Sequence, residues 1–263
     1  MDLGLAGAVA VVVGASGGLG SATARVLFEE GCHVLLVGRS LTAIQSLADN
    51  LAGETRDRAT AAAVDIQDGD MVESAISSFA ASKGRLDVLV NVAGDVPMVR
   101  AADLDATAWS KAAAEKLGGY LNTCRTAARL FKGRRAGSIV NVVGNSGREP
   151  GPSATAAMVN AALLSFTKSL AQELAASGVR VNAVNPGPVQ TPRLDRLLGA
   201  TAATSGRTLE EAAAGLLASI PEGRFGTADE IARLIAFVAS PACPYLTGTA
   251  LTVDGGQTRS VTY

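Results

Sequence analysis

The chain has 263 residues, a formal net charge of −1, 48% hydrophobic residues and only 4% aromatic ones. The length suits one α/β domain, and a near-neutral chain with no basic run speaks against nucleic-acid binding. No apolar stretch approaches the roughly 18 residues of a membrane span, and no cationic flank precedes an apolar core, so neither a span nor a signal peptide is expected.

Val9 to Val13 is a β-branched apolar run and reads as a buried strand. It stops at Gly14-Ala15-Ser16-Gly17-Gly18-Leu19-Gly20, and an apolar-periodic segment, Ser21 to Glu30, follows as a helix. Gly14 allows a sharp turn, Gly17 and Gly18 let backbone approach a bound group, and Gly20 lets the helix lie close to its strand. The N–H groups that open the helix make a site for an anion such as a pyrophosphate. The spacing is Gly-x3-Gly-x-Gly rather than the usual dinucleotide fingerprint, so a bare strand-to-helix connection is the plain alternative.

His33 to Val37 is the second strand and ends in Gly38-Arg39-Ser40, about 20 residues past the glycines, where such a site carries its ribose-reading residue. An acid there reads a 2′-hydroxyl and an arginine a 2′-phosphate. Arg39 is present with no acid beside it, which points to NADP(H) over NAD(H); the alternative is a solvated arginine at a strand end. His33, the only histidine, reads as packing, which excludes a histidine triad or a histidine-rich metal site. Cys32, Cys124 and Cys243 lie scattered without metal-ligand spacing and read as reduced, mostly buried thiols of a cytoplasmic protein. No metal site is expected.

Leu41–Leu51 is helical behind a Ser40 cap, Thr60–Val64 a strand followed by Asp65-Ile66, Gly69–Ala81 a helix, and Val88–Val92 a buried strand closed by Ala93-Gly94. Trp109–Phe131 reads as helix loosened at Gly118-Gly119. Ser138–Val143 is a strand, Ala154–Ala176 a long helix, Arg180–Val184 a strand ending in Asn185-Pro186-Gly187-Pro188, Ala228–Ala239 a helix and Ala250–Val253 the last strand. This alternation implies a single doubly wound, Rossmann-type domain over 1–263, a mostly parallel sheet of about seven strands with helices on both faces. Ligands bind at the carboxyl ends of such strands, where Gly14, Arg39, Asp65, Gly94, Gly144 and Gly187 all fall. Two short amphipathic segments between about 191 and 223 suit a mobile lid.

Together these residues resemble the short-chain dehydrogenase/reductase family over essentially the whole chain. The family's Thr-Gly-x3-Gly-x-Gly appears as Val13-Gly14 to Gly20, its adenine-side acid as Asp65 followed by Ile66, and its Asn-Asn-Ala-Gly as Asn91-Val92-Ala93-Gly94. Its Pro-Gly turn beside the nicotinamide appears as Pro186-Gly187, with Val189 and Thr191 as the carboxamide contacts. Gly223-Arg224-Phe225-Gly226, Glu230-Ile231-Ala232 and the run from Thr247 to Gly256 match its last third. The resemblance implies a cofactor held by Gly14, Ser16, Gly17, Gly18, Leu19, Gly20, Arg39, Ser40, Asp65, Ile66, Asn91, Ala93, Gly94, Asn160, Pro186, Gly187, Val189 and Thr191. It also implies a small-molecule substrate, no nucleic acid or membrane partner, and a homo-tetramer or homodimer built through the last helix and strand.

The departures bear on chemistry. Family members act on carbonyls and alcohols with an Asn, Ser, Tyr and Lys set. Their places here hold Lys116, Gly144, Ala156 and Asn160, so all four differ. Carbonyl reduction needs a proton donor and a donor to the developing oxyanion, and alanine and glycine offer no side-chain donor. Losing a general acid costs roughly 10²–10⁴ in rate. Lys116 and Tyr120 are four apart on an expected helix and so share a face; a lysine in an apolar site can act as acid or base. They are the candidate replacements, against a plain reading of Lys116 as a structural cation on the helix carbonyls near Gly118. Asn145, Ser146 and Arg148 follow the fifth strand and are candidates to line the substrate pocket, with loop hydrogen bonding as the plainer role of Ser146. The expectation is an NADP(H)-dependent oxidoreductase of a small carbonyl or alcohol compound with a non-standard site. The alternatives are a non-redox enzyme on the same fold (elimination, isomerisation or ring rearrangement) and an inactive NADP-binding subunit.

Overall fold

The computed structural model describes residues 1–52, 57–94 and 96–260. In chain order, β1 (Val9–Val13), α1 (Gly18–Glu29), β2 (His33–Gly38), α2 (Leu41–Ala52), β3 (Ala59–Ala63), α3 (Gly69–Lys83) and β4 (Val88–Asn91) form the first half. Then come α4 (Ala106–Ala112), a π-helical turn (Ala113–Gly118), α5 (Gly119–Lys132), β5 (Gly137–Val142), α6 (Ala154–Leu174) and β6 (Val179–Pro186). The last part holds β7 (Val189–Gln190), α7 (Pro192–Ser205), α8 (Leu209–Leu217), β8 (Gly226–Thr227), α9 (Ala228–Ala239) and β9 (Ala250–Val253).

Seven strands pair in parallel in the order β3-β2-β1-β4-β5-β6-β9. The interior strand β1 is buried at every position because helices cover both faces. Ala10 and Val12 pack with Leu27 of α1 and with Ile231 and Ile235 of α9. Val9, Val11 and Val13 pack instead with Ile76 of α3 and Phe131 of α5. The strand order reverses between β1 and β4, which opens a crevice at their carboxyl ends. The two-residue pair β7–β8 is too short to leave a pattern in the sequence.

Trp109–Phe131 is helical throughout, and the widening is the turn Ala113–Gly118, which reaches the expected Gly118 but begins five residues before it. Lys116 is the buried residue of that turn, and such π turns favour functional positions. Gly119 answers a separate need: a Cβ there would stand 2.4 Å from Ile66 Cδ1.

Helix α9 begins with a reciprocal cap. Thr227 Oγ1 accepts the Glu230 N–H at 3.3 Å, and the Glu230 carboxylate accepts the Thr227 N–H at 2.8 Å. Thr227→Ala is expected to cost about 1 kcal/mol. Thermal unfolding of the purified variant checks this, as a fall of about 2–4 °C in midpoint for a chain of this size.

Candidate active site

The turn between β1 and α1 is closed on glycine backbone. A Cβ on Gly20 would lie 2.0 Å from the Gly14 carbonyl oxygen, and one on Gly14, where φ is +85°, would lie 2.6 Å from the Ala93 nitrogen. Helix α1 starts at Gly18 with no acidic side chain in its first turn, so its open N–H groups suit an anion. Ser16 is exposed beside the end of β2, its Oγ 3.3 Å from where a Cβ of Gly38 would be. Arg39 and Ser40 follow, both exposed, and Asp65 is exposed past β3 with Oδ1 accepting the Gln67 N–H at 3.0 Å.

The far wall meets this turn. A Cβ on Gly18 would lie 2.9 Å from Thr191 Cγ2, so the segment leaving β7 touches the glycine turn directly. Gly187 lies against Asp254, which a Cβ at 187 would approach to 2.6 Å. Gly14, Gly18 and Gly20 thus stand where the turn packs too closely for a side chain, which fits the glycine turn of a dinucleotide site.

Lys116 is only 4% exposed. Its stem crosses Gly94, where φ is +124° and a Cβ would lie 2.6 Å from Lys116 Cγ. Its ammonium donates to the Val143 carbonyl at 2.8 Å and to Asn160 Oδ1 at 2.9 Å. The carbonyl it meets thus belongs to the end of β5, not to its own helix. Asn160 Nδ2 donates to Ser146 Oγ at 2.8 Å, so two residues expected apart, one for cofactor and one for catalysis, form one chain. Gly144 has φ 113° and ψ 149°, a region essentially reserved for glycine; a serine there would be strained. Ala156 is buried at the start of α6.

Two residues assigned to the cleft from the sequence lie beneath it. Tyr120 is fully buried, and its hydroxyl sits 3.0 Å from both the Asn91 and Val142 carbonyls. Burial holds its acidity well below that of an ordinary phenol. The Asn91 side chain is also fully buried: it donates to Asn141 Oδ1 at 2.9 Å and accepts from Thr123 Oγ1 at 2.8 Å. Both side chains tie β4 and β5 to α5.

A family model described as enoyl-(acyl carrier protein) reductase matches residues 14–258. The chain belongs to the short-chain dehydrogenase/reductase family. The 3-oxoacyl-[acyl-carrier-protein] reductase of Chlamydia muridarum is 33% identical over 94% of this chain and 96% of its own length. The cis-4-hydroxycyclohexanecarboxylate dehydrogenase of Sinomonas cyclohexanicum is 37% identical over 95% and 96%. The structure of L-sorbose reductase from Gluconobacter frateurii, complexed with NADPH and L-sorbose, superposes with a TM-score of 0.92 at 27% identity, covering 99% of this chain and all of that one.

Asn185 and Thr252 of this short-chain dehydrogenase/reductase are not among the site residues that its sequence motifs mark. They are register partners on β6 and β9. Among the described residues, both amide atoms of Asn185, Thr252 Oγ1 and Asn145 Oδ1 are buried without a hydrogen-bond partner, which is rare for buried polar groups. All three residues sit at or just past strand carboxyl ends. The available signal was a polar residue closing an apolar strand. Asn145 Nδ2 in turn donates to Asp254 Oδ2 at 2.7 Å, tying the loop after β5 to the chain after β9.

Proposed function

We propose that this short-chain dehydrogenase/reductase is an NADP(H)-dependent oxidoreductase of a small carbonyl or alcohol substrate, working through a rearranged site in which Lys116 supplies the charge. The carrying observation is the joining of a backbone-only glycine cradle to a buried ammonium at the same strand ends. The L-sorbose reductase, seen with NADPH, supports the cofactor by likeness, and it and the cis-4-hydroxycyclohexanecarboxylate dehydrogenase support the substrate class. Held by the glycine turn Gly14–Gly20 and by Arg39, NADPH would supply the hydride for the carbonyl carbon and be oxidised to NADP⁺, with the proton for the carbonyl oxygen coming from water. Of the two candidate side chains, the geometry favours Lys116; Tyr120 holds strand ends in place. Helices α7 and α8 share a small core of their own, Leu194, Leu198 and Ala212, which supports a lid that closes over the substrate.

The test follows NADPH oxidation at 340 nm over a panel containing L-sorbose, 4-oxocyclohexanecarboxylate and a 3-oxoacyl thioester. Turnover of any member supports the reading. Product formed with no net NADPH consumed would instead favour a non-redox reaction in the same pocket.

Arg39 carries the proposed preference for a 2′-phosphate. Arg39→Asp is expected to weaken NADPH binding about 10–100-fold, the loss of a charged hydrogen bond, while leaving NADH binding equal or stronger. Fluorescence titration of both cofactors reads this; an unchanged NADPH affinity would remove Arg39 from the site.

A further inference from the structure

We infer that Ser146 is the hydrogen-bond donor to the substrate's reacting oxygen, with its hydroxyl oriented by the Lys116–Asn160 pair. The identity of that oxygen rests on the oxidoreductase reading; the orientation of the hydroxyl does not.

The direction of the chain follows from donor chemistry. An ammonium has donors only, so the Asn160 oxygen must face Lys116 and its NH₂ must face Ser146. Ser146 Oγ is then an acceptor within the protein at 2.8 Å, and its own proton is left to donate outward. Among the described residues that hydroxyl donates to no acceptor. Lys116 and Asn160 are 4% and 6% exposed, whereas Ser146 is partly open. Ser146 is therefore where this buried chain meets the cleft. A hydrogen bond received from an amide that is itself polarised by a cation strengthens the serine as a donor.

The loop is held for this purpose. A Cβ on Gly147 would lie 2.8 Å from the Asn160 carbonyl carbon, so the turn rests on the backbone of α6. The Arg148 and Glu149 N–H groups both bond the Asn145 carbonyl, at 2.9 and 3.0 Å. Gly144 offers no side chain and Ala156 only a methyl, so Ser146 is the neighbouring hydroxyl at this end of β5. The charges around it are Lys116 behind the amide, Arg148 and Glu149 in its own loop, and Asp254 through Asn145.

The experiment replaces the donor with a titratable probe. In Ser146→Cys, the rate of iodoacetamide alkylation is measured against pH, with the wild-type protein as the blank for Cys32, Cys124 and Cys243. The introduced thiol is expected to titrate about one unit below the ordinary value of roughly 8.5, giving about tenfold faster labelling at pH 7. The shift is expected to vanish in the Asn160→Ala and Lys116→Met backgrounds. If one background does not fold, judged by circular dichroism, the other decides. A thiol titrating at or above the ordinary value, or indifferent to both backgrounds, overturns the inference. In parallel, Ser146→Ala is expected to lose about 10²–10³ in kcat on any panel substrate, with Ser146→Thr retaining most of it; equal activity in Ser146→Ala also overturns the inference. If NADPH does not bind and no panel member turns over, the oxidoreductase reading fails while the thiol titration still decides Ser146.

Discussion

Gly20→Ala is expected to lose NADPH binding altogether and to lower the thermal midpoint. The added methyl would stand 2.0 Å from the Gly14 oxygen, 2.7 Å from the Gly14 carbonyl carbon and 3.1 Å from Ala15 Cα. All three are backbone, so no side chain can swing aside. Either the start of α1 moves away from β1 or the turn opens, and both displace the N–H groups proposed to bind the pyrophosphate. Overpacking of this kind costs about 1–3 kcal/mol or more, which is about 2–4 °C per kcal/mol for a chain of this size. Gly199→Ala is the control. It sits exposed inside α7 with nothing within 4 Å of the new methyl, so about 0.5–1 kcal/mol of added stability is expected from helix propensity alone. Calorimetric titration with NADPH compares the two. Normal cofactor binding by Gly20→Ala would mean that this turn is not the cradle.

Lys116→Met is expected to reduce kcat by about 10²–10³, the size of losing one preorganised donor to a developing oxyanion, while NADPH affinity stays within about threefold. Lys116 acts through Asn160, and no part of the glycine cradle depends on its ammonium. The substitution leaves the Val143 carbonyl and Asn160 Oδ1 without their donor, a cost of about 1–3 kcal/mol. It also removes a buried charge whose desolvation opposed folding, so the net change in thermal midpoint is expected to be a few degrees. Lys116→Arg is not expected to rescue the rate, because the stem already lies where a Cβ of Gly94 would be 2.6 Å away and a planar fork does not replace a compact ammonium. Steady-state kinetics beside a cofactor titration separates these effects. Full turnover by Lys116→Met would discard its role.

The resemblance pointed to Asn91 as a cofactor residue and helix spacing to Tyr120 as a catalytic candidate, and both readings followed from sound local signals. Spacing says which residues share a helix face; it does not say how deep that face lies. Tyr120 and Lys116 do share a side, with the ammonium 5.8 Å from the ring centroid. One hydroxyl nevertheless ends between two strand carbonyls, and the other head group reaches α6 across a separation of 44 positions.

The amino-acid sequence by itself determined the alternating strands and helices, the parallel sheet and the glycine turn. Each depends on apolar periodicity or on backbone room that a residue type either provides or denies locally. Only the tertiary structure decided that Lys116, Asn160 and Ser146 form one directed chain, that Gly144 occupies a backbone conformation a serine would strain, and that Asn91 and Tyr120 lie beneath the cleft. Burial and the direction of a hydrogen bond arise when distant elements pack, and no spacing along the chain encodes them.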